Sequence, residues 1–336
     1  MSAKSGSQEI DRLAELLSTE LPNQVSRNVS LAKISRWKIG GNAAIYVEPT
    51  SVAAAARVMA IMAGRPEPFF VMGDSSNTLF DDAGFAGVVM RIGRNLSAMR
   101  VEGTRVWSQA GIWVPKLALA TSDAGLGGLE HTTGIPGTLG GLVVMNGGSQ
   151  RKGVGASVTE VLCADESGEL FRMDQRQCGF AYRTSSLQSR RVVVLEVELE
   201  LKPRLRNESR AEMLAIVRDR RRKFPQKLPN CGSTFLSNPS MYEHIGPPGL
   251  AIELSGLKGL RKGGAVVSTL HANFIVNDGG ATCVDVLWLI GHIRETVRQR
   301  TGYEMDCEVR HLSPTGELRA AHISAQQIYF REVESA

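Results

Sequence analysis

The chain is predicted to adopt an α+β architecture on three observations: an early strand, helix, strand unit; a following set of short strands broken by one helix; and a C-terminal section mixing helices with strand-like apolar runs. At 336 residues it exceeds one typical domain, so two or three are expected. Hydrophobic residues at 43% and charged residues at 22% describe a soluble globular protein. A net charge of +5 and a pI near 9.0 suit an anionic ligand and weak nucleic-acid affinity equally. The five cysteines are widely spaced, with no CxxC and no zinc-ligand pattern, which predicts a reducing cytoplasm and no metal. The N-terminus has no basic segment leading into an apolar one, so no secretory signal is expected. Apolar runs fall far short of the roughly 20 residues of a membrane span.

In chain order, residues 34–49 alternate toward Ala43, Ile45 and Val47 as a strand. Thr50 or Ser51 can then cap a helix with the face Val52, Ala55, Val58, Met59 and Met62, stopped by Gly64. The strand 68–72 ends in the loop Gly73-Asp-Ser-Ser-Asn-Thr78. In α/β units such strand ends are where ligands bind, and successive N–H groups there can nest a phosphate. The loop lacks both the Walker A and the GxGxxG spacing, and an ordinary turn explains it as well. Short strands are expected at 85–92, 99–101 and 105–110, then a helix over 113–124 with Trp113, Leu117 and Ala120 facing inward.

Residues 127–148 follow, GGLEHTTGIPGTLGGLVVMNGG, where glycine recurs so often that little side-chain bulk shields the backbone. Such backbone suits close approach to a planar or phosphorylated ligand, or a turn-rich connection. Strands at 157–164, 170–173 and 192–201 complete this layer, and 203–209 reads as a linker. A helix over 212–223 carries Arg218, Arg220, Arg221, Arg222 and Lys223 on an outer face. That run is a solvated face or a guide for a phosphorylated substrate. Residues 229–235 form a glycine turn presenting Ser233, and 265–276 are strand-like. Thr282 and Asp285 resemble a capping box for a helix over 284–300 whose core stripe is Val286, Ile290, Ile293 and Val297. A last strand over 305–312 carries Glu308 and Arg310.

Taken together, GGNAAIYVEP (40–49), MGDSSNTL (72–79), GLEHTTGIPGTLGG (128–141), FAYRTS (180–185), PNCGSTF (229–235), GLKG (256–259), HANFIVN (271–277) and CEVR (307–310) form an ordered set. The set resembles the UDP-N-acetylenolpyruvoylglucosamine reductase family over about residues 28–312. The short tract after Tyr182-Arg183 is similar to the subtype lacking an inserted tyrosine-bearing loop.

The resemblance implies an FAD-binding fold of the p-cresol methylhydroxylase type with a C-terminal substrate domain. The expected divisions are an extension (1–27), two FAD-binding subdomains (28–83 and 84–203), a substrate domain (204–313) and a tail (314–336). FAD would be held by Gly40, Gly41, Gly73, Asp74, Ser75, Ser76, Asn77, Thr78, Gly134, Ile135, Gly137, Gly140 and Gly141. NADPH would be the electron donor, and Tyr182, Arg183 and Asn238 would meet a UDP-sugar. The expected enzyme is a cytoplasmic monomer without nucleic-acid or membrane partners.

By the same resemblance, hydride passes to the alkene carbon β to the substrate carboxylate, leaving an enolate dianion. Cationic and hydrogen-bonding groups must meet that charge near the transition state. Arg183 is the expected cation, Glu308 completes the polar cradle, and Ser233 is the expected proton donor. The alternatives are an N-cap for Ser233, a surface salt bridge for Arg183 and Glu308, and a strand histidine for His271. Residues 235–239 (FLSNP), 145–153 and 247–253 depart from the family pattern in or near the substrate domain. They leave open a paralogue reducing a related alkene or a flavin oxidase of the wider superfamily. A basic RNA-binding protein is the contrasting class, and no RNA-binding motif supports it.

Overall fold

The computed structural model describes residues 3–237 and 239–334 and divides into two units. The first comprises Met1–Arg27, Ile45–Asp74 and Gly87–Arg220; the second comprises Asn28–Ala44, Ser75–Ala86 and Arg221–Ala336.

The first unit is built around two sheets. One has the order Val25–Ser30, Asn42–Val47, Phe85–Arg91, Phe69–Met72, with the last two parallel, Phe69 opposite Val88 and Met72 opposite Arg91. The helix Val52–Met62 connects two of these strands, and Ser51 caps it by accepting from the Ala54 N–H at 3.0 Å. The other sheet is antiparallel, in the order Leu170–Asp174, Val158–Ala164, Val193–Glu200, Arg105–Gln109, Met99–Glu102. Its alternating Val161, Val197, Leu199 and Val106 are fully buried and merge into one core with Ile45, Val58 and Val88.

Several expectations are corrected here. The N-terminal segment forms a helix, Ala3–Glu20, whose Leu13, Ala14 and Leu17 are buried in that core. Trp113 is not on the inner face of its helix: it precedes Val114–Asp123 and is 52% exposed, while Val114, Leu117 and Ala118 turn inward. Residues 203–209 are no linker. Lys202–Pro203 pairs with Leu126–Gly127, and the next helix already begins at Arg206 and runs to Lys223. Arg204 between them is held by Glu130 at 2.8 Å and Glu212 at 2.6 Å, which explains why the chain stays ordered through a polar stretch.

The second unit contains two three-stranded sheets. In one, Arg261–Lys262, Ala265–Val267 and Ile275–Asn277 pair antiparallel, so the single strand expected over 265–276 is two strands joined by a turn holding His271 and Asn273. In the other, Arg310–Leu312 pairs antiparallel with Leu318–Ala320 and parallel with Thr78–Phe80. The strand expected from 305 therefore starts at Arg310, and Glu308 lies just before it. The helix Cys283–Thr301 carries the expected stripe, with Val286, Ile290, Ile293 and Val297 fully buried. Thr282 and Asp285 form the reciprocal capping box, and Gly302 ends the helix in the left-handed conformation. The C-terminal residues add a helix, Ala321–Glu334, that the sequence reading did not anticipate.

Candidate active site

The glycine stretch lies in the first unit and explains its own composition. A Cβ placed on Gly73 would lie 2.1 Å from the Thr138 hydroxyl oxygen, so the loop after the strand Phe69–Met72 meets the glycine stretch with no room for a side chain. Gly73 does not have a positive φ; close approach alone demands glycine there. Gly137 has φ 151° and its carbonyl accepts the Val114 N–H at 3.0 Å. Gly140 donates to the Ala110 carbonyl at 2.8 Å and packs on its Cβ. Gly141 is exposed and its added Cβ would meet only the Thr138 hydroxyl at 3.7 Å, which leaves that face open. Gly134 and Ile135 are half-buried. Asp74 pairs with Arg91 at 3.3 Å, and Arg91 also reaches the Tyr46 hydroxyl at 3.5 Å. Burial pushes the Tyr46 phenol up to about 12.

Arg183 occupies a strained place in this unit. Its φ is 55°, left-handed for a residue with a Cβ, within a turn closed by Ala181 and Thr184 through two backbone hydrogen bonds of 3.0 and 3.2 Å. Its guanidinium donates to the Gly148 carbonyl at 2.9 Å and lies over the exposed Tyr182 ring at 5.4 Å. Ser185 and Gln188 both donate to the Val144 carbonyl, at 2.6 and 3.1 Å, and Asn146 donates to Ala181 at 2.7 Å. The turn is thus tied to the end of the glycine stretch, so Arg183 is held there by design of the loop.

Arg220 was expected on an outer face with the rest of its basic run, and the structure corrects that placement. Taken as one of a solvated run, it instead points inward, where a Cβ on Gly134 would come within 2.3 Å of its Cδ. Burial lowers its pKa, and the charge of Arg183 lowers it further. Two guanidinium groups felt by one another beside open glycine backbone suit an anion. Only helical phase could have separated Arg220 from Arg218, Arg221 and Arg222, which are exposed.

The second unit brings the other predicted groups together. Thr234 donates to the Asn273 carbonyl at 2.8 Å, and Phe235 donates to the Asn273 side-chain oxygen at 2.8 Å. The Thr234 carbonyl accepts the Glu308 N–H at 2.9 Å. Ser233 and Glu308 therefore flank one clamped backbone segment, with Gly232 at φ 80° setting the turn before it. Ser233 is no helix cap, since the next helix begins only at Pro239. Asn77 donates its side-chain amide to the Glu308 carbonyl at 3.0 Å, and its own carbonyl accepts the Arg310 N–H at 3.1 Å. Ser75, buried with φ 49°, accepts from the Arg36 N–H at 3.2 Å. Ser76 and Thr78 are half-buried beside it.

Gly40 and Gly41 are closely packed: a Cβ on Gly40 would strike Phe80 at 2.7 Å, and one on Gly41 the Asp82 carbonyl at 2.4 Å. Asn238 lies outside the described residues. His271 sits in a turn between Phe224 and Phe274, with ring centroids 5.2 Å from each, and accepts the Asn273 N–H at 3.2 Å. Burial, then Lys258, lowers its pKa, so it is a neutral support of the Asn273 clamp.

Arg310 shows that the second unit also fits an anionic group. Burial lowers its pKa, no acidic group offsets that, and its Nε has no hydrogen-bond partner among the described residues. A phosphorylated cofactor matches the requirement of such a cation, beside hydroxyl-bearing Ser75, Ser76 and Thr78.

The chain is similar to known proteins along most of its length. Residues 43–174 match an FAD binding domain, and residues 224–312 match the UDP-N-acetylenolpyruvoylglucosamine reductase, C-terminal domain. The chain is 50% identical over 323 residues to UDP-N-acetylenolpyruvoylglucosamine reductase 1 of Corynebacterium glutamicum, covering 95% of this chain and 96% of that protein. It is 35% identical to the reductase of Carboxydothermus hydrogenoformans, covering 90% of this chain and 98% of the other. The crystal structure of the Thermus caldophilus enzyme superposes with a TM-score of 0.73 at 30% identity, covering 86% of this chain and 98% of that one. The α+β fold is thus that of an FAD-binding protein with the reductase C-terminal domain, and the chain belongs to the UDP-N-acetylenolpyruvoylglucosamine reductase family.

Proposed function

We propose that Ser233, Arg183 and Glu308 carry the second half of a two-stage reduction, in a chain that reduces the enolpyruvyl group of UDP-N-acetylglucosamine enolpyruvate to UDP-N-acetylmuramate. The chain is an FAD-dependent oxidoreductase with NADPH as donor, acting in peptidoglycan precursor synthesis. FAD, when bound, takes a hydride from NADPH and returns one to the substrate alkene. The residues proposed to hold it are Gly40, Gly41, Gly73, Asp74, Ser75, Ser76, Asn77, Thr78, Gly134, Ile135, Gly137, Gly140 and Gly141.

The observation that supports the residue assignment is the clamp on Thr234, the residue after Ser233, whose backbone is bonded to both Asn273 and Glu308. A fixed hydroxyl can deliver a proton from one direction, which the developing carbanion requires. An alcohol is a weak acid in water, but the enolate carbon is a strong base, so Ser233 needs positioning more than a lowered pKa. Arg183, locked by its turn, offers permanent positive charge to the carboxylate whose charge grows as hydride adds. Glu308 completes the polar cradle as a proton-bearing partner: starting as the acid, it reprotonates the serine oxygen after Ser233 has given up its proton, and is itself reprotonated from solvent. Tyr182, exposed beside Arg183, and Asn238 are proposed contacts for the nucleotide sugar.

A cytoplasmic monomer belongs to the same proposal. The five cysteines are buried and form no disulfide among the described residues, which supports a reducing compartment. Among the described residues no helix is long and apolar enough to cross a membrane.

The test separates the two halves. Stopped-flow bleaching of the flavin by NADPH should be nearly unchanged in Ser233→Ala, whereas recovery on adding the enolpyruvyl sugar should slow by about 10² to 10⁴. Ser233→Cys should recover part of that loss. Equal slowing of both phases, or of neither, would refute the proton-donor role.

A further inference from the structure

Outside the candidate active site, three metal-ligating side chains distant in sequence converge in the second unit. Asp81 follows the strand Thr78–Phe80, Cys283 opens the helix Cys283–Thr301, and His311 lies in the strand Arg310–Leu312. One ligand atom from each lies within 4.8 Å of the other two. Their backbones are held independently of any ligand. Asp81 donates its N–H to the Leu312 carbonyl at 3.3 Å, and Cys283 donates its N–H to the Asp82 carboxylate at 2.7 Å.

The polar accounting at this cluster is incomplete. The His311 side chain is 9% exposed, and its Nδ1 is paired with the Ser324 hydroxyl at 2.9 Å. Among the described residues its buried Nε2 has no short hydrogen bond, and Asp81 Oδ2 lies 3.5 Å away at the long limit of one. Asp81 Oδ1 already accepts the Ala83 N–H at 2.8 Å, leaving Oδ2 toward the histidine. When Nδ1–H donates to Ser324, a nitrogen lone pair, a carboxylate oxygen and a sulfur face one another, and the thiol hydrogen is the only proton among them. Acceptors gathered in this way are stabilised by a cation.

We propose that Asp81, Cys283 and His311 form a binding site for a zinc-class divalent cation. Sulfur, imidazole and one carboxylate favour that class over magnesium or calcium, which take oxygen ligands. Bond lengths of about 2.0 to 2.3 Å put tetrahedral ligand atoms roughly 3 to 4 Å apart, so small side-chain rotations close the present spread. The partly exposed Asp81 leaves a side for water as fourth ligand. On binding, the Cys283 thiol gives its proton to solvent and the thiolate bonds the metal, with no change of oxidation state. Ser324 fixes the ring orientation from behind, as outer-shell partners of metal-bound histidines do. The ion would tie two paired strands to the start of a buried helix, and it takes no part in the proposed reduction.

Flavin-loaded protein is first stripped with a chelator and dialysed against zinc, and bound metal is measured by elemental analysis. One zinc per chain is expected. Cys283→Ser and His311→Gln should each abolish that binding, Cys178→Ala should retain it, and Ser324→Ala should weaken it by about tenfold. Cobalt in place of zinc should give a near-ultraviolet thiolate charge-transfer band in the native chain, and Asp81→Asn should alter it without loss of fold. Failure to bind zinc, a cobalt spectrum without the thiolate band, or undiminished zinc in both ligand variants would overturn the site.

Discussion

At the scale of single residues, the determinants of the site are contacts that leave no space. Gly73 is the clearest, because its forbidden Cβ would lie 2.1 Å from the Thr138 hydroxyl oxygen but 3.3 Å from the Thr138 Cβ. A side chain at position 73 must therefore push the glycine stretch away or move its own loop, and either change spoils a surface shaped for a phosphorylated cofactor. Gly73→Val should purify with little flavin, and Gly73→Ala with less than the native chain. Adding Thr138→Ala to Gly73→Ala removes the closest atom and should restore part of the occupancy, read as flavin absorbance per protein after gel filtration. Full occupancy in Gly73→Val would mean that this junction does not shape the cofactor site. Arg220 on Gly134 follows the same logic with a different sign, since there the missing side chain admits a cation.

At the scale of elements, legibility in the sequence follows the range of the interactions that build each one. The helix Cys283–Thr301 is written locally: Thr282 and Asp285 cap it, Gly302 stops it, and the stripe repeats at helical spacing. Thr282→Ala should destabilise the second unit by about 1 kcal/mol in urea unfolding, and an unchanged midpoint would show the box to be redundant. The pairing of Thr78–Phe80 with Arg310–Leu312 is tertiary, and no periodicity in either short segment announces it. Trp113 misled because large apolar residues ordinarily turn inward, whereas here the residue before the helix faces outward and Val114 fills the core. Residues 203–209 looked like a linker because the glutamates that hold Arg204 are supplied by residues 130 and 212. For the proposed site, Ser233, Arg183 and Glu308 were singled out through their motifs, since each sits in a turn with its own glycine or polar signature. Arg220 and the Asp81, Cys283, His311 cluster were not, because direction and convergence are properties of the folded chain.

At the scale of the whole molecule, buried thiols give stability a pH dependence that can be worked out with its sign. Burial, and then Cys178, push the Cys163 thiol up to about 12 from an ordinary 9.0; burial and then Asp174 push Cys178 to about 11. Burial also raises Cys307 in the second unit. A thiol whose pKa is raised by folding keeps its proton in the native state where the unfolded chain has already released it. The associated stability is intact below pH 9.0 and is lost as pH rises from there toward the folded values. At pH 10 an unfolded thiol has lost most of its protons, so each buried one costs about 1.4 kcal/mol relative to pH 8. The first unit, with two such thiols, should lose about 3 kcal/mol, a substantial part of an ordinary domain stability of roughly 5 to 15 kcal/mol. The Tyr46 phenol, raised from 10.0 to about 12 by burial, contributes only about 0.4 kcal/mol by pH 10 and most of its loss above that, so the thiols dominate between pH 8 and 10. Urea unfolding under reducing conditions at pH 8 and pH 10 measures the difference, and Cys178→Ala should remove about half of the first unit's share whatever it does to the stability at pH 8. A pH-independent midpoint, or a loss that Cys178→Ala leaves untouched, would show that the unfolded thiols do not set the alkaline limit.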